Sequence, residues 1–157
     1  MLFKLCGCAL LLLAGLSLAA SKAFAAKLRL AVLDAWIALL LYVRTQIDCY
    51  LLPLEEILRT ADPQMFPPSI GASPVDGLPL LLAKTRQHLS REGERILSAC
   101  VAELGSSYRE EQLKRCDHYL QRLYREREQV SLELPSRVKL GVTLSLCASL
   151  GAVILLW

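Results

Sequence analysis

Residues 140–157 carry no charged side chain, and residues 5–21 form a second uncharged run at the other end of the chain. All 15 acidic residues, and every Lys and Arg except Lys4, fall between Lys22 and Lys139. Two such ends around a charged middle predict a small domain between two membrane spans. As a helix the first run covers roughly 26 Å, slightly short of a ~30 Å hydrocarbon core. Ala23, Phe24, Ala25 and Ala26 extend it if Lys22 snorkels to the interface. Lys22, Lys27 and Arg29 follow the first run, and Arg137 and Lys139 precede the second. By the positive-inside rule the middle then faces the cytoplasm and both termini face out. The rival reading is a cleaved signal peptide ending at Ala23-Phe24-Ala25. Cleavage would put Cys49, Cys100 and Cys116 in an oxidising space, where an odd number of thiols fits poorly.

The expected fold class is all-α, a small antiparallel helical bundle flanked by two transmembrane helices. The expected domains are an N-terminal transmembrane segment (1–26), a cytosolic helical domain (27–137) with a Pro-rich loop at 62–79, and a C-terminal transmembrane segment (138–157). The first helix of the middle covers 27–50. Its stretch 30–43 has Asp34 as its only charge and the length of a buried core helix. A third span there is the alternative. Pro53 suits the first position of a short helix whose Glu55 and Glu56 sit near the positive end of its dipole. Five prolines and two glycines between Asp62 and Pro79 predict a loop with no regular element, either mobile or an interaction segment. A helix is expected over 80–104, weakened in its middle by Gly93. Gly105 fits the left-handed residue that closes it, and Ser107 with Glu110 fits a capping box for the next helix. There Leu113, Cys116, Leu120, Leu123, Val130 and Leu134 form one apolar stripe, interrupted by Arg127, until Pro135 marks an end or kink.

In the predicted spans Gly15 and Ala19, and Gly141, Ser145 and Ser149, recur every fourth residue, a spacing that lets membrane helices approach closely. Small residues are also common in spans generally. The six cysteines are scattered, three of them inside the uncharged ends, and read as small apolar residues in a reducing compartment. The net charge of +3 is interleaved with Glu along the helices, a solvated surface more than a nucleic-acid footprint. No phosphate loop, CxxC or HExxH occurs. Cys116 and His118 point apart on a helix, so a metal site there is not expected.

Four features in order make the chain resemble stage III sporulation protein AB of endospore-forming bacteria. An apolar segment begins within the first residues. An apolar helix leads into Ile47-Asp48-Cys49-Tyr50-Leu51-Leu52-Pro53-Leu54-Glu55-Glu56, similar to the family's aromatic followed by Pro-Leu-x-Glu. Leu104-Gly105 is followed by Gln112 and a charged helix, and a last apolar run reaches the final residue. Two departures stand beside them: the Pro-rich loop replaces helical sequence that often holds a Trp, and Tyr108 stands near the usual acidic residue after the Leu-Gly turn.

The resemblance implies a helical domain similar to the cytoplasmic domains of type II secretion platform proteins. It implies a multi-pass protein of the mother-cell membrane (the outer forespore membrane) with its central domain in the cytoplasm. Its place would be in the complex that joins mother cell to forespore after engulfment. The implied partners are that complex's cytosolic ATPase, stage III sporulation protein AA, other stage III membrane proteins and membrane lipid, with no nucleic acid and no cofactor. The chain itself is expected to be non-enzymatic, any hydrolysis belonging to the ATPase. Docking is expected through the charged helix faces or the corner at residues 53–56, with Pro53, Glu55, Glu56, Arg109, Gln112 and Arg115 as interaction residues. The alternatives are a secreted helical binding module with a cleaved signal peptide and a C-terminal anchor, and a membrane thiol enzyme using Cys6, Cys8 or Cys116.

Overall fold

The computed structural model describes the backbone of residues 2–50, 52–105 and 108–156. It describes side chains from residue 17 to 133, apart from 18, 19, 22, 51, 106 and 107, together with Lys139, Thr143 and Cys147. Every regular element among the described residues is helical: α1 (Leu2–Tyr50), α2 (Leu54–Thr60), α3 (Leu78–Thr85), α4 (Arg91–Glu103) and α5 (Arg109–Leu156), with 3-10 turns between them. The chain divides into two compact units, Leu28–Val130, and Met1–Lys27 with Ser131–Trp157.

In the terminal unit the backbone is helical through both uncharged runs. Among the described residues no helix is long and apolar enough to cross a membrane. The side chains of residues 5–16 and of nearly all of 140–157, on which the two predicted spans rest, lie outside the described residues. So do the expected packing residues Gly15, Ala19, Gly141, Ser145 and Ser149, and the predicted cap residue Ser107. Of the end or kink expected at Pro135, the end is corrected: α5 continues past it to Leu156. A proline inside a helix removes one N–H but leaves the hydrogen bonds on either side intact.

The Leu28–Val130 unit holds the core. Val32, Leu33, Trp36, Leu39, Leu40 and Val43 of α1 are buried, which settles residues 30–43 as a domain-core helix. Ile96, Leu97 and Cys100 of α4 meet Cys116, Tyr119, Leu120 and Leu123 of α5 in the same cluster. Trp36 is 1% exposed, and its indole N–H donates to Thr85 Oγ1 at 3.1 Å, while that hydroxyl donates to the Leu81 carbonyl at 2.8 Å. The polar edge of the ring is thus satisfied inside the core, as burial of an indole requires.

The expected helix over 80–104 is two helices. After Thr85 comes a 3-10 turn, Leu89 is extended, and Ser90 starts α4. The Ser90 hydroxyl accepts from the Gly93 N–H at 2.9 Å and donates to Glu126 Oε1 at 2.5 Å. That cap offsets an interruption in the helix. Gly93 therefore lies in the first turn of α4, not in the middle of a helix. A Cβ there would come 3.1 Å from Ser90 Oγ, crowding the cap of α4, and would make an ordinary 3.5 Å contact with Leu33 Cδ1 of α1.

The Pro-rich segment is also more regular than predicted. Pro63, Pro68 and Pro74 each begin a 3-10 turn, and Asp62 and Ser73 cap two of them. Lys84 donates to Asp76 at 2.7 Å and to the Gly71 carbonyl at 3.0 Å, holding the Asp76 carboxyl below the usual carboxylate range. The segment packs instead of floating. Phe66 is buried with its ring edge-on to Trp36, centroids 5.8 Å apart.

α1 and α5 run antiparallel, and three ion pairs fix their register: Asp34 with Arg127, Arg44 with Asp117, and Asp48 with Arg109. Arg44 binds Asp117 as a fork, Nε to Oδ1 at 2.5 Å and Nη2 to Oδ2 at 3.3 Å. Arg127 forks onto Asp34 in the same way. The sign alternates along the seam, so a slip of one helical turn breaks all three pairs. Arg127, the interruption in the apolar stripe, is one rung of this ladder.

Two outcomes follow for stability. Leu97→Ala in the core should cost about 2–5 kcal/mol in denaturant unfolding, while Leu80→Ala on the surface should stay within about 0.5 kcal/mol. Asp34→Arg should lower the melting temperature, and adding Arg127→Asp should recover most of the loss. A double variant no better than the single one would contradict the register role.

Candidate functional site

Three segments meet at one end of the Leu28–Val130 unit: the end of α1, the start of α2 and the turn from α4 to α5. The Pro53 carbonyl accepts from the Ile57 N–H at 3.1 Å, which makes Pro53 the N-cap of α2, one residue earlier than the sequence pattern placed it. Glu55 and Glu56 are exposed in the first turn. Leu104 caps α4 and Gly105 follows with φ 94°, the left-handed region expected of it. A Cβ on Gly105 would lie 3.6 Å from Leu54 Cδ2, so this turn and the start of α2 are in contact.

Arginines tie the segments together. Arg109 Nη2 donates to the Asp48 carbonyl at 2.5 Å and to Asp48 Oδ1 at 2.8 Å. The carbonyl is among the last four of α1, which have no partner within the helix. Arg115 donates to Glu111 at 2.7 Å and pairs with Glu103 at 3.7 Å, bracing the end of α4 against the start of α5. Gln112 is half-buried, its backbone N–H bonded to the Tyr108 carbonyl at 2.9 Å. The structure thus brings Pro53, Glu55, Glu56, Arg109, Gln112 and Arg115 to one apex. It presents the first three outward and engages both arginines internally.

Two residues that sequence reasoning left aside dominate the exposed surface. Tyr50, the last residue of α1, is 66% exposed, and Tyr108, just before α5, is 89% exposed. A signal was present, since each aromatic stands at a helix boundary where no core position is available. The apex lies opposite residues 28 and 130, about 30 Å along α1 for some twenty residues of helix.

The chemistry of the remaining groups is limited by burial. Cys100 and Cys116 are free thiols in the core, and burial is the main cause that raises both, Cys116 to about 11. At neutral pH they stay protonated and are poor nucleophiles. Burial and a hydrogen bond to Glu103 push Tyr119 up to about 12. Cys116 is buried and His118 exposed, so they do not converge on one ligand. Among the described residues no group of three or more His, Cys, Asp or Glu gathers as a metal site. Cys6 and Cys8 lie outside the described residues.

These burials decide which thiol a labelling reagent can reach. Among Cys49, Cys100 and Cys116, only the exposed Cys49 should react quickly with a maleimide at pH 7, the others reacting after denaturation. Fast labelling of Cys100 or Cys116 in the folded chain would contradict the core described above.

The family model of stage III sporulation protein AB matches residues 81–157, from the middle of α3 through α4 and α5. The match contains Leu104-Gly105, Gln112 and the terminal apolar run, and leaves Pro53, Glu55 and Glu56 outside it. No curated protein and no solved structure matches the chain. Residues 81–157, just under half of the chain, thus carry a stage III sporulation protein AB domain, which implies a role in stage III of sporulation.

Proposed function

We propose that this protein is a non-enzymatic membrane platform of the mother-cell-to-forespore transport complex. It docks the cytosolic ATPase, stage III sporulation protein AA, and sister membrane subunits. One observation carries the reading: α1 and α5 lie antiparallel and leave the bundle at the same end, while the opposite end presents an exposed apex. Residues 5–21 and 140–157 then anchor the chain in the mother-cell membrane, and the central domain stands in the cytoplasm. The family domain supports the setting.

The apex suits docking because it is built on braced helix ends. Arg109 and Arg115 fix the shape, and Tyr50, Tyr108, Glu55 and Glu56 make the contact. Exposed aromatics beside charges are the residue types that dominate protein interfaces. Platform work of this kind needs rigidity and no catalytic group. ATP hydrolysis stays with the partner.

The test is co-purification of the ATPase with the full chain from sporulating cells. Tyr108→Ala combined with Glu55→Lys and Glu56→Lys should reduce recovery at least tenfold, about 1.4 kcal/mol of binding. Those side chains are exposed, so the melting temperature should not move. Undiminished recovery with the triple variant would remove the apex from the docking surface.

A further inference from the structure

Residues 62–77 join α2 to α3, and their backbone is bonded almost entirely to itself. The amides of Met65, Ile70, Gly71, Asp76 and Gly77 each bond a carbonyl three residues back. Among the described residues no backbone–backbone hydrogen bond joins residues 62–76 to another element. Asp62, Pro63, Gln64, Pro68, Ser69 and Val75 face water, while Phe66, Ala72 and Pro74 are buried. Beside Ile70 an open hollow of about 670 Å³ is lined by Ala83, Lys84, Arg86, Gln87 and Glu94. At that flank open space separates the segment from α3 and the start of α4.

Two anchors hold the segment down. Phe66 sits edge-on to Trp36, and Lys84 of α3 reaches back across it. The ammonium donates to Asp76 Oδ2 at 2.7 Å and to the Gly71 carbonyl at 3.0 Å. Asp76 Oδ2 also accepts from the Ser73 N–H at 3.2 Å, so one lysine ties together the second half of the segment. The ends are suited to swinging. Ala61 is extended after α2, and Gly77 holds φ 84° and ψ 153°, angles that fit glycine. Between them Pro63, Pro67, Pro68 and Pro74 each fix φ, so the released segment keeps its turns and gains little freedom.

We propose that residues 62–77 are a strap, clasped by Lys84, that opens as one piece while α1, α4 and α5 stay folded. Segments with local hydrogen bonds and few buried side chains are the ones that open below the global unfolding free energy. Opening breaks the two Lys84 bonds and uncovers the edge of Trp36 that Phe66 meets. It also uncovers the sides of α2 and α3 against which the turn Pro74–Asp76 lies. The ion pairs between α1 and α5 and the bond from Trp36 to Thr85 involve no residue of the strap. Closed, the strap hides an apolar face. Open, it makes that face available without unfolding the bundle, and the clasp sets the balance between the two forms.

The test is maleimide labelling of the full chain in neutral detergent, each cysteine being followed by peptide mass spectrometry. The thiol of Ala72→Cys should react more slowly than the exposed Cys49 but faster than the buried Cys100 and Cys116. Adding Lys84→Met should speed it about tenfold, the loss expected for two charged hydrogen bonds. Adding Leu120→Ala in α5 instead should speed Cys100 and Cys116, which wait for global unfolding, and leave the strap thiol unchanged. Met65→Cys, half-buried in the same segment, gives the same reading if Ala72→Cys lowers the melting temperature. A strap thiol that reacts at the rate of Cys100 and Cys116, and speeds up with them in Leu120→Ala, would overturn the inference. A strap thiol as fast as Cys49 would overturn it too, because the segment would already stand open. No response to Lys84→Met would remove the clasp.

Discussion

The antiparallel seam of α1 and α5 is the constraint on which the rest of the domain depends. Its three ion pairs join residues 93, 73 and 61 positions apart in the chain. Alternating signs make the register specific, because sliding one helix brings like charges together or leaves both unpaired. Each pair is partly exposed, so its value lies in specifying one arrangement more than in adding stability. Stability comes from the apolar layer beneath, where Trp36, Leu40, Leu97 and Leu123 are almost fully excluded from water.

Once that register is set, the shorter elements have few choices. α4 packs in the same apolar cluster as α1, and Gly93 in its first turn leaves room for the Ser90 cap. Ser90 serves three groups at once, the Gly93 amide, the Glu94 amide through its carbonyl, and the buried Glu126 carboxyl. The Pro-rich segment folds over the remaining face, with Phe66 against Trp36 as its anchor and Lys84 closing it at Asp76. The clamp has a pH sense. The lowered native pKa of Asp76 contributes stability that is complete above the ordinary carboxylate value of about 4 and lost as pH falls through the native value.

Legibility in the sequence divides along the same line. The all-α class, the burial of residues 30–43, the buried Cys100 and Cys116 and the left-handed Gly105 were readable, because each depends on local period or local backbone preference. The helix start at Pro53 and Glu55 was readable, but the meeting of these residues with Arg109, Gln112 and Arg115 at one corner was not. The break at Ser90 was missed, although Ser90 with Glu92 and Glu94 behind it carries a helix-start pattern, because the apolar period runs on through Leu89. The turns at Pro63 and Pro74 had signals in Asp62-Pro63 and Ser73-Pro74-Val75-Asp76, masked by proline density. Arg127 and Asp34 show why the remainder was out of reach. Neither helix alone states that the other exists, so a necessary partner read as an interruption. The inward use of Arg109 and Arg115 was hidden for the same reason.

The two ends of the domain then have separate duties in this account. At one end the two long helices leave the domain, and the other gathers exposed tyrosines and glutamates on braced helix ends. The most direct measurement of the central claim is deletion of the gene in its host, with sporulation followed by microscopy. The account predicts arrest after engulfment, with a small or collapsing forespore, restored by the full-length chain. Normal spores at normal yield would contradict a platform role in the transport complex.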